Sequence, residues 1–317
     1  MNSTLTIRKF AAIDIGSNAM RLLIANVLEQ EGKEVQINKN ELIRVPIRLG
    51  QDAFTNGEIS QESISRMTDA FQAFQLLMNV YGVERYKACA TSAMREAYNG
   101  QEIAQLIEKK TGIEIEIIDG KTEAAIIANS GLTRFMERDE PCLFVDVGGG
   151  STEFSLFDGG VLKVSRSFKN GTVRLLNGMV PELVWDEMHQ WIHAHTHQLD
   201  NLVMIGSGGN INRLFKMSGK LQDKSLSYMY LHAQFDHLSK LSYEQRIAEL
   251  GLNPDRADVI IPATSIYLKA MKWSGAQQLY VPKIGLSDGM IKAMYNQQIT
   301  SISRDVSIRA SETDTEK

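Results

Sequence analysis

The hydrophobic pattern of the chain opens with three extended runs. Residues 10–15, 20–27 and 35–42 are apolar or alternating segments, and short polar stretches that contain glycine separate them. Such runs bounded by turn residues are typical of strands joined as hairpins. The chain is therefore predicted to begin with three consecutive strands.

Helices and short strands alternate through the rest of the first half. An apolar face repeats from Ile64 to Met78, behind the candidate N-cap Ser60 and ahead of Gly82, which predicts a helix. A strand at 86–90, a helix from Asn99 to Gly112 with Glu102 as capping-box partner, a strand of alternating isoleucines at 113–117 and a helix at 123–135 follow. A capping signal with Thr122 in the first turn opens the last helix.

After the polar link at 137–141 the same order restarts. Strands are predicted at 142–147, 153–157 and 161–167, helices at 172–178 and 182–199, and a strand at 202–205. Residues 217–274 are predicted to be mostly helical, followed by a strand at 278–281 and a helix at 285–295. This repetition predicts an α/β protein made of two related halves.

Four turns rich in glycine or hydroxyl groups follow predicted strands, two in each half. They are Asp14-Ile-Gly-Ser-Asn18, Thr91-Ser-Ala-Met-Arg95, Asp146-Val-Gly-Gly-Gly-Ser-Thr-Glu153 and Gly206-Ser-Gly-Gly-Asn210. Glycine lets backbone N–H groups close around an anion, and a carboxylate at a strand end can hold a hard cation. We therefore expect one phosphate- and metal-binding cleft between the halves.

Together these four segments resemble the Ppx/GppA phosphatases, which hydrolyse inorganic polyphosphate or the 5′-terminal phosphate of guanosine pentaphosphate. The resemblance extends to Gly171-Thr-Val-Arg174 and Gly285-Leu-Ser-Asp-Gly289 and spans residues 10–290. It implies two RNase H-like domains of the actin-like, sugar-kinase and heat-shock ATPase superfamily, with an interdomain cleft. The implied limits are 1–122 plus about 285–305 for the first domain and 123–284 for the second, with a polar tail at 306–317.

The same resemblance implies roles for individual residues. Asp119-Gly-Lys-Thr-Glu-Ala124 is similar to the family's Ser-Gly-x-Glu-Glu-Ala segment, and it implies Glu123 as the general base that deprotonates the attacking water. Asp14, Asp146 and Glu153 are the implied ligands of Mg²⁺ or another divalent cation, and Arg174 is a further candidate cation. The implied phosphate-binding residues are Gly16, Ser17, Asn18, Arg21, Thr91, Ser92, Arg95, Gly148, Gly149, Gly150, Ser151, Gly206, Ser207, Gly208 and Gly209.

Two departures leave rival functions open. The first acid of the family segment is Thr122 here, and the loop at 206–209 differs from the Gly-Thr-Ser-Gly-Thr that the family often has. The leading hypothesis is a magnesium-dependent hydrolase of polyphosphate, guanosine pentaphosphate or both. A catalytically weak regulatory protein that binds polyphosphate or a nucleotide is the alternative. An ATP-dependent sugar kinase is a third, although the Ser-Asn after Gly16 argues against it.

Composition and charge limit the classes of partner that the protein is expected to bind. The chain has 317 residues and a net charge of −4, so no overall positive field predicts a nucleic-acid partner. Neither a membrane-length apolar run nor a signal-peptide pattern is visible, which predicts a cytoplasmic protein without a membrane partner. A homodimer is one arrangement that composition leaves open. Cys89 and Cys142 lie in apolar runs and are predicted to be buried thiols.

Three histidines, His189, His193 and His197, lie four residues apart on one predicted helix. They therefore share one stripe of its surface. The His-Glu-x-x-His pattern is absent, and the stripe has no acidic partner at ligand spacing. The spacing therefore favours histidines that flank the buried face of the helix over histidines that bind a metal.

Overall fold

A computed structural model describes residues 5–128, 130, 140–221 and 224–296. The first of its two sheets has the strand order β3-β2-β1-β4-β5. Strand β1 is antiparallel to β2 and parallel to β4, which is in turn parallel to β5. These strands are β1 Leu5–Ile15, β2 Met20–Gln30, β3 Gln36–Val45, β4 Arg85–Ala90 and β5 Glu116–Ile117.

The second sheet repeats this arrangement. Its order is β10-β11-β9-β6-β7-β8, so β8, β7, β6, β9 and β11 correspond to the five strands of the first sheet, with the same parallel and antiparallel pairs. The predicted duplicated α/β fold is confirmed. The strands are β6 Cys142–Val147, β7 Thr152–Asp158, β8 Val161–Phe168, β9 Val203–Ser207, β10 Leu226–Ser227 and β11 Gln278–Tyr280.

Helices cover both sheets, and three of them were not expected from the pattern: two in the first half and the one that follows β9. The first half has α1 Leu49–Asn56, α2 Gln61–Tyr81, α3 Ser92–Glu96, α4 Gly100–Thr111 and α5 Gly120–Ala128, of which α1 and α3 were not predicted. The later helices are α6 Thr172–Leu176, α7 Glu182–Thr196, α8 Gly209–Met217, α9 Tyr228–Lys240, α10 Tyr243–Ala248, α11 Pro254–Ala257, α12 Ile260–Ser274 and α13 Leu286–Asn296.

Helix α2 begins and ends as predicted. The Ser60 hydroxyl accepts a hydrogen bond from the Ser63 N–H, and Gly82 closes the helix in the left-handed conformation at φ 65°. The capping box predicted at Asn99 is wrong, because the Asn99 amide bonds instead to both backbone groups of Ile59, at 3.0 and 2.8 Å. A partner 40 residues away thus replaces the local cap.

Helix α5 begins three residues before the predicted start. Asp119 caps it by accepting the Thr122 N–H at 2.7 Å, so the first helical residue is Gly120 and not Glu123. The predicted end of this helix at residue 135, the link at 137–139 and the polar tail at 306–317 lie outside the described residues. The limits proposed for the two domains stay predictions.

Three apolar cores hold the fold together. One lies under α2 and the first sheet, and another lies between the second sheet and α7, α9 and α12. The third fills the space between the sheets and includes Phe10, Phe144 and Met290. Here α5 and α13 cross so closely that a Cβ on Gly289 would lie 2.1 Å from the Ile126 oxygen. This layer therefore sets the spacing of the two sheets. Over the described residues, no helix is long and apolar enough to span a membrane.

Candidate active site

A cavity of about 330 Å³ lies between the ends of β1 and β6. The turns that follow these strands touch each other, since a Cβ on Gly149 would lie 2.9 Å from the Ser17 Cβ. The Ser17 hydroxyl also shares a 2.9 Å hydrogen bond with the Ser92 hydroxyl from the start of α3. The glycine at 149 is therefore required for the two turns to meet.

The unpredicted helix α1 supports the first turn from behind. The Gly50 N–H donates to the Ser17 oxygen at 2.7 Å, and the Arg48 N–H donates to the Asn18 oxygen at 3.0 Å. These bonds use the carbonyl groups of the turn. Because these bonds fix the backbone of the turn, they also fix the orientation of its side chains and of its remaining N–H groups.

Three carboxylates converge at the closed end of the cavity. Glu123 from α5, Asp146 from β6 and Glu153 from β7 each bring an oxygen within 4.8 Å of the others. The Ser151 and Ser167 hydroxyls donate to Glu153 Oε1. Among the described residues, nothing donates a hydrogen bond to the buried Oε2 of Glu123. This cluster differs from the predicted ligand set, because Asp14 instead accepts a 2.8 Å ion pair from Arg21.

Burial and mutual repulsion disfavour the ionised forms of these acids. Burial, and then the charges of Glu153, Asp146 and Asp14, raise the pKa of Glu123 well above its usual range, while Arg95 opposes the shift. Burial likewise raises the pKa of Glu153 to about 7 and that of Asp146 to about 6. Ionising all three acids together is therefore unfavourable unless a positive charge lies among them.

The donor set fits a divalent cation. Carboxylate oxygens are the ligands that Mg²⁺ prefers, and one or two of them with several waters usually suffice. Three buried acids without enough donors would be costly to keep ionised, and the unpartnered Glu123 Oε2 points to a missing positive group. Glu123, Asp146 and Glu153 are the residues able to hold it.

Arginines also contribute to the lining of the cavity. Arg21, Arg44 and Arg256 come from β2, β3 and α11, and Lys39 and Lys283 also contribute to the lining. Burial lowers the pKa of Arg256 to about 10, and the neighbouring charges of Arg44 and Arg21 add to the effect. Crowded guanidinium groups of this kind suit an anionic ligand, which would relieve their repulsion.

Only Arg21 among these five cations was predicted. Arg44, Arg256, Lys39 and Lys283 carried no sequence signal, since they lie on an edge strand, in a short helix and in a loop far apart in the chain. Spatial convergence alone reveals them.

Most of the predicted site residues line the cavity. The acids Asp14, Glu123, Asp146 and Glu153 do so, and so do Gly16, Ser17, Asn18, Arg21, Thr91, Ser92, Gly148, Gly149, Ser151, Ser207, Gly208 and Gly209. Gly150, Gly206 and Arg95 stand outside this lining. Gly206 packs against the side chains of Leu279, Ile211 and Tyr267, and Arg95 donates to the Ile118 oxygen at 2.7 Å.

Arg174 takes part in a contact across the cleft. Its Nε donates to the Gly150 oxygen at 2.8 Å, its Nη2 lies 2.6 Å from Glu96 of α3, and its guanidinium lies over the Phe54 ring. All three partners belong to the protein. Arg174 thus joins the two halves, and its contact with phosphate stays a prediction.

The histidine stripe and the cysteines do not belong to the lining of this cavity. His189 stacks on Trp273, and His193 stacks on His197, beside a separate cavity at the end of α7. Cys89 and Cys142 are buried free thiols, as predicted, and burial raises the pKa of each to about 12. Neither group contributes to the cleft.

Facing glycine turns, a trio of converging acids and a duplicated strand order define an α/β protein with a polar cleft between two related halves. Residues 41–298 match the sequence profile of the Ppx/GppA phosphatase family, and the chain belongs to this family.

Similar proteins agree with this membership. The chain is 25% identical over 316 residues to exopolyphosphatase 2 of Mycobacterium tuberculosis, covering 90% of this chain and 98% of that one. It is 28% identical over 295 residues to a bifunctional 3-dehydroquinate synthase/phosphatase of Fusobacterium nucleatum, where it covers 86% of its own length but only 44% of the relative's. The crystal structure of an exopolyphosphatase from Cytophaga hutchinsonii superposes with a TM-score of 0.76 over 92% of this chain and 98% of that one. At 22% identity this last likeness shows the fold alone.

Proposed function

We propose that the protein is a divalent-cation-dependent exopolyphosphatase, which releases the terminal phosphate of inorganic polyphosphate. The observation that carries this proposal is the lining of the cleft, which brings three converging acids, several arginines and the glycine turns into one cavity. A phosphoanhydride chain is a dense polyanion, and this combination of a cation site and guanidinium groups matches its charge.

The terminal phosphate would lie between the turns at 16–18 and 148–151. Their backbone N–H groups and hydroxyls are donors for phosphate oxygens. Arg21 and Arg256 would hold the next oxygens, because the outer nitrogen of each guanidinium lies 3.4 Å from the position of a Cβ on Gly209. The chain's own donors thus orient the phosphorus toward the acids.

Asp146 and Glu153 would hold Mg²⁺ or another divalent cation, directly or through water. Asp14 contributes by fixing Arg21 at 2.8 Å, and its own contact with the ion would run through water. When bound, the cation supplies charge that neutralises phosphate oxygens and favours the ionised forms of the acids around it.

Glu123 is the proposed general base. Its unpartnered Oε2 accepts a proton from a water as the water oxygen bonds to the terminal phosphorus. The bond from that phosphorus to the bridging oxygen breaks, and the shortened polyphosphate leaves with the electron pair. Glu123 lies in the first turn of α5 and lines the same cavity as both glycine turns, which supports this role.

The test is phosphate release from polyphosphate with Mg²⁺ by wild type and by Glu123→Gln. Loss of a general base is expected to lower kcat about 10²- to 10⁴-fold while substrate still binds. Glu187→Gln, on the surface of α7, is the matched control and should behave like wild type. Tight binding without release by wild type, unchanged in Glu123→Gln, would instead support the regulatory alternative.

Guanosine pentaphosphate is the second candidate substrate, and a separate observation favours it. Leu23, Leu42, Ile284 and Leu286 form an apolar part of the cavity lining, and Leu42 is 57% exposed. An apolar surface beside a cationic cleft suits a nucleoside that carries phosphates. Leu42→Ser should raise KM for guanosine pentaphosphate and leave KM for polyphosphate unchanged if the nucleoside lies there. Equal effects on both substrates would remove this candidate.

A further inference from the structure

Arg48, at the start of α1, has an unusual backbone. Its φ of 65° and ψ of 38° are left-handed, and among the described residues it shares a positive φ with only two other non-glycine residues, Asn201 and Lys283. A non-glycine residue with this backbone conformation is strained, and the conformation persists only where surrounding contacts hold it. The contacts of Arg48 therefore show what holds the residue in this conformation.

Those contacts run in two directions. The Arg48 N–H donates to the oxygen of Asn18 in the phosphate turn at 3.0 Å. Its side-chain Nη2 donates to Asp258 Oδ2 at 2.6 Å, and Asp258 directly follows α11. One residue thus connects the turn after β1 with a helix that comes 210 positions later in the chain.

Two more bonds fasten α11 to the same side of the cleft. The Arg44 guanidinium pairs with the Asp255 carboxylate, and Asn18 Nδ2 donates to the Asp255 oxygen at 3.0 Å. Arg256 lies between Asp255 and Asp258 in the chain. Its position over the cavity is consequently set by aspartates on both sides, each held by a residue of the first half.

These bonds act against the charges around them. Arg256 faces Arg21 across Gly209 and lies near Arg44, so the positive charges repel one another. Without a phosphate between them, this repulsion favours moving α11 away from the first sheet. The ion pair of Arg48 with Asp258 opposes that movement from outside the cavity, whose lining does not include Arg48.

We propose that Arg48 is a positioning residue for phosphate binding. Through Asp258 it holds α11 against the first half, and so places Arg256 opposite Arg21 where the terminal phosphates bind. The cleft then binds polyphosphate more tightly when this ion pair is present beside the two bonds made by Asp255. The inference rests on the proposed function for the identity of the ligand, but it concerns binding and not turnover.

The test is calorimetric binding of tripolyphosphate with Mg²⁺ to Arg48→Gly and Asp258→Asn. Glycine accepts the left-handed backbone and keeps the N–H bond to Asn18, so Arg48→Gly removes only the side-chain link. Each variant should bind about tenfold more weakly, and the double variant should be no weaker than either, because one interaction is lost. Arg48→Lys, which keeps the charge, should bind within about threefold of wild type.

Arg8→Ala is the matched control. It breaks a surface ion pair with Glu29, 3.5 Å long, at the other end of β1, and should leave the dissociation constant unchanged. Thermal unfolding of every variant separates the roles, since a purely structural contact would lower the melting temperature without changing affinity in the folded protein. Wild-type affinity in both Arg48→Gly and Asp258→Asn would overturn the proposal, and so would additive losses in the double variant.

Failure of the proposed function can be told apart from failure of the role proposed for Arg48. A wild type that binds tripolyphosphate but releases no phosphate would refute the exopolyphosphatase, while the binding comparison would still decide the role of Arg48. If wild type did not bind tripolyphosphate at all, both proposals would fall.

Discussion

Asp146→Asn should stabilise the cation-free protein and abolish its response to Mg²⁺. Burial raises the pKa of the Asp146 carboxyl from 3.8 to about 6, so the folded state disfavours the ionised form. At about 1.4 kcal/mol for each pKa unit, this shift corresponds to roughly 3 kcal/mol by which folding disfavours the ionised carboxyl. The carboxylate faces the cavity and is partly reached by water, so we expect about 2 kcal/mol. Asparagine keeps the shape and removes the charge.

The sign follows from proton linkage. A carboxyl whose pKa is raised on folding contributes stability that is fully present below its unfolded pKa of 3.8 and is lost as the pH rises through about 6. In EDTA, wild type and Asp146→Asn should therefore be equally stable near pH 4. At pH 8 the variant should be the more stable by about 2 kcal/mol, since it lacks the ionised carboxylate.

Urea unfolding at both pH values, with EDTA or saturating Mg²⁺, measures these differences. Mg²⁺ at a hundred times its dissociation constant should stabilise wild type by about 2.7 kcal/mol and the variant by much less. Asp158→Asn, at the partly exposed end of β7, is the control and should show neither effect. A variant that is no more stable than wild type at pH 8 in EDTA, or that responds equally to Mg²⁺, would refute the reasoning.

Three further predictions concern other parts of the fold. Arg95→Gln removes a charge that lowers the pKa of Glu123, so the acid limb of the pH–rate profile should move to higher pH, and an unshifted limb would contradict this. Gly289→Ala places a methyl group 2.1 Å from the Ile126 oxygen. It should destabilise the protein by about 2 kcal/mol or more in urea unfolding, whereas wild-type stability would show that α5 and α13 can separate. Ser60→Ala should cost about 1 kcal/mol through the lost cap of α2, and a change in phosphate release would argue against a purely local role.

Local signals account for the elements that the sequence predicted well. The serine cap and glycine end of α2 lie within one helix, and the strands before the turns at 14–18 and 146–153 are continuous apolar runs. Helices α1, α3 and α8 escaped prediction because they have eight, five and nine residues. None of them has a side-chain cap, and α1 starts from the strained backbone of Arg48.

The residues of the cleft include some that local sequence signals predict and others that only tertiary contacts bring together. Glycine turns and carboxylates at strand ends are local features, so the duplicated order and most residues of the cavity lining could be predicted without the structure. Only the tertiary structure decided that Glu123 joins Asp146 and Glu153 while Asp14 pairs with Arg21. It also decided that Arg256 faces Arg21. Charges interact across space and not along the chain, and residues such as Arg21 and Arg256, which are 235 positions apart, meet only when the two sheets enclose the layer of α5 and α13.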